Sequence, residues 1–280
     1  MLRPLWVDCL LTLYPVVLAV TAWIVGSQVV RLPRKCGAIL LGVALLIVPL
    51  PMLRFIPGWA DSVGLLLHRL GGTTRLECGA ALFLLGVVWG TPRRSLSSAF
   101  LGIVAGLIGL VFFSECAGRL WWRFGDPEMW TNIPVPSGFV QQTSGLTCAS
   151  ASAAMLLSHH GIRASEGELA YLSNTSLLGT TALDMADALH IKLSGTNWRP
   201  VVRRADYASF QKMDRPFDAH LDLPGLGGHA VFVRRLFDDS VDLVDPRTGF
   251  PEKMPRDEFE RIWDGTGLLL EPITSDVDVR

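Results

Sequence analysis

Cys148 lies in the stretch LTCASASAAMLLSHHG, in which Thr147 reads as an N-cap, the small-residue run as a helix and Gly161 as its left-handed stop. A cysteine in the first helical turn feels the positive end of the helix dipole, which favours the thiolate and hence attack on a carbonyl carbon. Full activation takes an imidazole, and the imidazole needs a third group to set its tautomer and orientation. His229 and Asp245 are of the right types and in the right places. His229 opens a strand directly after Gly227 and Gly228, and Asp245 ends the next strand just before Pro246. A hairpin between those strands brings the two ends side by side. Gln142, six residues ahead of Cys148, can aim its side-chain amide at the oxygen that turns negative during attack, beside the Cys148 backbone N–H. Gln141 is the neighbouring alternative. The expected catalytic set is Cys148, His229, Asp245 and Gln142.

Other residues of the same types have plainer readings. His220, on the strand before His229, is a rival base that lacks a carboxylate following at a strand end. His159 and His160 end the Cys148 helix, too far along to serve the thiol, and suit the negative end of its dipole. Asp242 alternates to the opposite strand face from Asp245 and reads as solvated. Cys9, Cys36, Cys78 and Cys116 lie in or beside apolar segments, where a thiol packs as a small hydrophobe. Five cysteines without CxxC spacing argue against a zinc site and a disulfide framework, so no metal or other cofactor is expected.

The positioning elements read as helices first and an antiparallel sheet second. Two further helices carry capping-box spacings, Ser165 with Glu168 and Thr181 with Asp184. Short strands follow: RPVVRR, FDAHLDL, HAVFVRRLF and VDLVDP, with Asp238 and Asp239 at a hairpin turn. PRDEFERIW reads as a short helix with proline at its start, and GLLLEP as a closing strand.

The stretches QQTSGLTCASASAAMLLSHHG, GTTALDMADAL, RPFDAHLD, GGHAVFV, VDPRTG, FERIW and DGTGLLL keep this order over roughly residues 139 to 272. They resemble the peptidase C39 family of papain-like cysteine proteases. The resemblance implies an α+β papain-like domain with N-terminal helices packed on an antiparallel sheet. It assigns Gln142 to the oxyanion hole, Cys148 as nucleophile, His229 as base and Asp245, of the DP dipeptide, as the group orienting it. Members are best known as leader-removing domains of bacteriocin-exporting ABC transporters that cut after a Gly-Gly pair. The resemblance thus implies hydrolysis of a peptide or protein substrate such as a leader peptide, and a separate membrane transporter as partner. This chain lacks a Walker phosphate loop, and Thr147 and Ala149 stand where the family commonly has aspartate and glycine.

Ahead of this domain the chain is apolar. Hydrophobic residues make up 50% of the sequence and charged ones 18%, which points to a membrane component. Residues 1–124 are expected to form a transmembrane α-helical bundle of three or four spans, at about 5–30, 36–57, 76–90 and 96–113. The third is short for a span, and Trp23, Trp59, Trp89, Trp121 and Trp122 fall near span ends, as indoles do at the headgroup zone. A linker at 125–137 leads to the catalytic domain at 138–280. The basic RLPRK link after the first span outweighs Arg3, which favours an outside N-terminus and, with four spans, an extracytoplasmic domain; three spans reverse this. A net charge of −1 without a basic stripe excludes a nucleic-acid partner, leaving the lipid bilayer and a peptide as the expected ones. The rival to a multi-pass, membrane-anchored peptidase is a non-catalytic peptide-binding or sensory module coupled to a membrane partner, and acyl transfer by the same triad is a third reading.

Overall fold

The computed structural model describes residues 4–29, 31, 116–131, 138–223 and 227–273, together with 82, 83, 86, 87, 106, 107, 109, 110 and 113. The chain divides into two units, Met1–Leu120 and Trp121–Arg280.

In the first unit, helix α1 (Leu5–Val29) is the one helix among the described residues long and apolar enough to cross a membrane, over Leu5–Gln28. Length and composition alone support that assignment, and the described residues do not support a bundle. The expected span at 36–57 lies outside them, and those at 76–90 and 96–113 enter them only at scattered positions. Helix α1 runs close to its neighbour: a Cβ at Gly26 would stand 2.2 Å from the Phe83 carbonyl oxygen, and one at Gly86 2.4 Å from that of Trp23. Only glycine permits such an approach of two backbones. Cys116 is buried and Cys9 half-buried, as expected of packing thiols, while Cys36 and Cys78 lie outside the described residues.

In the second unit, after the helical residues 121–123, comes the short helix α2 (Pro127–Thr131), inside the stretch expected to be a linker. Its buried Met129 packs on Gly167, where a Cβ would come within 3.1 Å of the methionine side chain. Trp122, expected at a headgroup zone, is buried instead and donates its indole N–H to the Thr175 carbonyl at 2.7 Å. Trp121 is exposed.

Helices α3 (Cys148–His159), α4 (Glu166–Ser173) and α5 (Ala182–Lys192) follow. Both N-caps form: Ser165 accepts from the Glu168 N–H at 3.1 Å and Thr181 from the Asp184 N–H at 3.2 Å. Gly161 has the expected positive φ of 72° just beyond α3. Thr147 occupies the N-cap position of α3, but its hydroxyl makes no cap bond.

Six antiparallel strands then build one sheet in the order β1-β6-β2-β3-β4-β5. They are β1 (Trp198–Arg204), β2 (Phe217–Leu223), β3 (Gly227–Leu236), β4 (Ser240–Asp245), β5 (Phe250–Pro255) and β6 (Trp263–Pro272). Each expected strand is present, and so is the 238–239 turn, closed by Phe237 N–H donating to Ser240 O at 2.8 Å. Ala230 and Phe232 of β3 join the core under α3, α4 and α5. Val231 and Val233 join a second core with Tyr207 and Phe210 of α6 (Tyr207–Met213) and Phe259 of α7 (Arg256–Ile262). Alternation along one strand thus feeds two cores, and helices cover both faces.

Besides α2, two elements escape the sequence pattern. Helix α6 has only two buried positions, Tyr207 and Phe210, too few to establish a helical period; its start is secured by Asp206 accepting from Ser209 N–H at 2.9 Å. Strand β5 carries Pro251 and Pro255 and is largely exposed. It lies at the sheet edge, where a missing donor is tolerated.

The second core is closed around Gly267 of β6. A Cβ there would sit 2.5 Å and 2.7 Å from the Phe210 ring and 2.8 Å from the Phe217 ring. Gly267→Ala is expected to destabilise the domain by about 1–3 kcal/mol through overpacking, read as a lowered melting temperature. An unchanged melt would contradict this account of the core.

Candidate active site

Cys148 is the first residue of α3, so its backbone N–H lies among the orphan donors of the first turn. His229 is the third residue of β3 and Asp245 the last of β4. The register pairs Phe232 with Val244. That pairing sets the C-terminal end of β4 beside the first half of β3, so Asp245 and His229 come from neighbouring strands. His229 Nε2 and Asp245 Oδ1 are 2.8 Å apart. Asp245 Oδ1 also accepts the Arg247 backbone N–H at 2.8 Å, and Oδ2 faces the Arg247 guanidinium at 3.3 Å. With Nε2 committed to the carboxylate, Nδ1 is the nitrogen left to hydrogen-bond the Cys148 thiol.

The electrostatics follow from these contacts. Burial alone would raise the Cys148 thiol. The hydrogen bond from His229, the Ala230 backbone N–H, the His229 charge and the Ala149 N–H together outweigh it and bring the thiol below its ordinary value. Burial would likewise depress His229, but hydrogen bonds to Asp245 and Cys148 and the charges of both raise it to about 9. Asp245 is lowered: against its burial stand the His229 hydrogen bond, the Arg247 N–H and the charges of both residues. The lowered thiol and the raised imidazole shift in the direction of a thiolate–imidazolium pair, a nucleophile and a proton donor in one contact.

Gln142 is tied to the same corner. Its backbone N–H donates to the Pro246 carbonyl at 2.7 Å, and its side-chain Nε2 donates to Ser144 O at 2.8 Å. Gln141 is exposed and donates to the Arg247 carbonyl at 2.9 Å. The rivals fall elsewhere. His220 is paired with Ala230, and burial, partly offset by Asp264, lowers it so that it stays neutral at pH 7. His160 packs its ring 4.4 Å from Trp198. Asp242 is partly buried and faces Arg234 at 3.6 Å rather than being freely solvated.

Sequence reasoning missed two buried carboxyls beside this centre. Asp218 of β2 is fully buried under α3, accepts from Ser152 Oγ at 3.0 Å, and has no hydrogen-bond partner at Oδ2. Burial raises it well above the carboxylate range, Ser152 opposing, and its charge would act against the thiolate. In FDAHLDL the apolar residues Phe217, Ala219, Leu221 and Leu223 alternate with Asp218, so the pattern reads the acid as outward, and only the helix packed on that face makes it internal. Glu166, the first residue of α4, is also buried and holds Thr143 and Thr147. An acid in a first helical turn is ordinary at the surface, and nothing in the sequence marks this one as internal. Among the described residues no group of three or more metal-ligating side chains converges.

Comparison with known proteins matches residues 137–275 to the peptidase C39 family. The mesentericin transport/processing ATP-binding protein of Leuconostoc mesenteroides is 29% identical over 137 residues, 48% of this chain and 18% of that protein. An uncharacterized protein of Methanothermobacter marburgensis is 31% identical over 132 residues, 47% of this chain and 87% of that protein. Among solved structures, the peptidase domain of a Streptococcus ComA transporter aligns over 48% of this chain and 96% of that domain, with 24% identity and a TM-score of 0.43. The chain thus spans less than a fifth of the length of the transporter relative.

Two outcomes are expected of this geometry. Iodoacetamide should alkylate Cys148 with a pH midpoint below the ordinary thiol value of about 8.5, and His229→Ala should move that midpoint up. Equal midpoints would remove the pairing. The second concerns stability. The raised His229 contributes stability that is complete below about pH 6.5 and is lost as pH rises through about 9. The lowered Asp245 contributes above about pH 3.9 and loses its contribution as pH falls through its folded value. The melting-temperature gap between wild type and Asp245→Asn should therefore be widest between about pH 4 and 6.5 and narrow above about 9, where the Arg247 contacts to Asp245 remain.

Proposed function

Since the chain belongs to the peptidase C39 family, we propose that it is a membrane-tethered cysteine peptidase that hydrolyses peptide bonds through Cys148, His229 and Asp245. The observation that carries the reading is the 2.8 Å bond from His229 Nε2 to Asp245 Oδ1, which leaves the other ring nitrogen to the Cys148 sulfur.

The chemistry follows in two halves. The Cys148 thiolate attacks the scissile carbonyl carbon, forming a C–S bond as the carbonyl π electrons move onto oxygen. The oxyanion is met by the Cys148 backbone N–H and by the Gln142 side-chain amide, which keeps a second N–H beyond the one given to Ser144. The His229 imidazolium passes its Nδ1 proton to the leaving amine as the C–N bond breaks, which leaves a thioester on Cys148. Neutral His229 then takes a proton from water; hydroxide attacks the thioester, the C–S bond breaks, and the carboxylic product leaves with thiolate and imidazolium restored. Asp245 stays ionised throughout and stabilises the imidazolium.

In this reading residues 1–124 anchor the protein in the bilayer, 125–137 connect, and 138–280 are catalytic. Helix α1 supports the anchor by its length and apolar composition. The name of the Leuconostoc relative joins transport to processing. A peptide presented by a separate membrane transporter is accordingly the substrate class proposed here, with a leader segment as the part removed.

The test is mass spectrometry of a peptide library incubated with the purified full chain in detergent. Defined cleavage products are expected from wild type, none from Cys148→Ala, and a rate lower by about 10²–10³ from Gln142→Ala. Products that persist in Cys148→Ala would end the proposal.

A further inference from the structure

The hydroxyl of Thr147 has one hydrogen and two close oxygen neighbours. It lies 2.8 Å from the Ser144 carbonyl oxygen and 2.5 Å from Glu166 Oε1. A carbonyl oxygen only accepts, so when the hydroxyl hydrogen goes to Ser144 the short contact to Glu166 is bonded only by a proton on the carboxyl. Glu166 Oε1 also accepts the Thr143 backbone N–H at 2.9 Å and lies 3.2 Å from the Thr143 hydroxyl. The side chain is 1% exposed. The Ser144 carbonyl that Thr147 grips is the same oxygen that accepts Gln142 Nε2 at 2.8 Å and the Thr147 N–H at 3.2 Å. A continuous chain therefore runs from Glu166 through Thr147 and Ser144 O to the Gln142 amide. It crosses the turn immediately before Cys148.

From this chain, which rests on the peptidase reading above, we infer that Glu166 is a positioning residue of the oxyanion hole: it holds the 143–147 turn and through it the Gln142 amide, without touching substrate or sulfur. Burial raises Glu166, outweighing the Thr147 and Thr143 hydrogen bonds and aided by the Asp126 charge. The thiolate has its own supports, His229 and the N–H groups of Ala230 and Ala149, and none of them runs through Glu166. The two functions of the site therefore separate. Reactions that need only the thiolate are independent of Glu166, and reactions that build a tetrahedral oxyanion depend on it.

The experiment compares two reagents on the full chain in detergent. Iodoacetamide reads the thiolate, since alkylation forms no oxyanion. The p-nitrophenyl ester of a blocked glycine reads acylation, by release of nitrophenolate. In Glu166→Leu the pH profile of alkylation should match wild type while kcat for the ester falls about 100-fold, with KM changed by less than about threefold. Glu166→Gln, which keeps an acceptor for the Thr143 N–H, should restore most of kcat. Where Glu166→Leu fails to fold, Thr147→Val breaks the same chain isosterically and should give the same split. Unchanged ester kcat in a folded Glu166→Leu or Thr147→Val variant overturns the inference, as does an equal loss of alkylation and acylation. Ester turnover that survives Cys148→Ala overturns the peptidase reading and this inference with it, whereas a loss confined to the Cys148→Ala control leaves the peptidase reading standing as Glu166 fails.

Discussion

One contact organises this domain: a carboxylate oxygen of Asp245 held 2.8 Å from His229 Nε2. An imidazole has two nitrogens, and engaging one with an anion leaves the other to face a proton donor or acceptor elsewhere. Here the remaining nitrogen meets the Cys148 thiol at the start of α3, so that carboxylate, ring and sulfur lie in series. The contact exists because β3 and β4 are neighbours in the sheet, and it is rigid because both strands are buried between two helical layers. Arg247 reinforces it from outside, giving its backbone N–H to one carboxylate oxygen and its guanidinium to the other.

Three carboxyl groups surround the centre, and their environments differ in sign. Asp245 is partly exposed, receives several donors and stays anionic. Asp218 and Glu166 are buried, and burial raises both. The outcome is one carboxylate lowered and aimed at the imidazole, and two buried carboxyls that burial shifts toward their neutral forms. Ionised Asp218 would oppose the thiolate, whereas neutral Asp218 keeps only its bond to Ser152, one turn along α3 from Cys148. The buried acids thus tie α3 and the turn preceding it to the rest of the domain by hydrogen bonds.

Much of this was legible in the residue string. The N-caps at Ser165 and Thr181, the left-handed Gly161 and the alternating strands β2 to β4 express local rules: a hydroxyl three residues before its amide, a glycine where φ is positive, an apolar residue every second position. Strand β5 and helix α6 were not legible, because an exposed edge with two prolines carries no alternation and a seven-residue helix carries no full period. Trp122 is open to two readings in the sequence, headgroup zone or ordinary packing. An indole beside an apolar stretch suits a headgroup zone, and only packing reveals that its N–H is spent on Thr175.

The sequence by itself determined which residue types stood at element ends: a cysteine opening a helix, a histidine after two glycines, an aspartate closing the next strand. Those positions follow from propensity and periodicity, which act over a few residues. Tertiary structure alone decided the distances between them, and with those the inward position of Glu166 and the proton balance of the buried acids. Such properties depend on which groups from distant parts of the chain exclude water from one another, and desolvation is a sum over neighbours in space that no local pattern records.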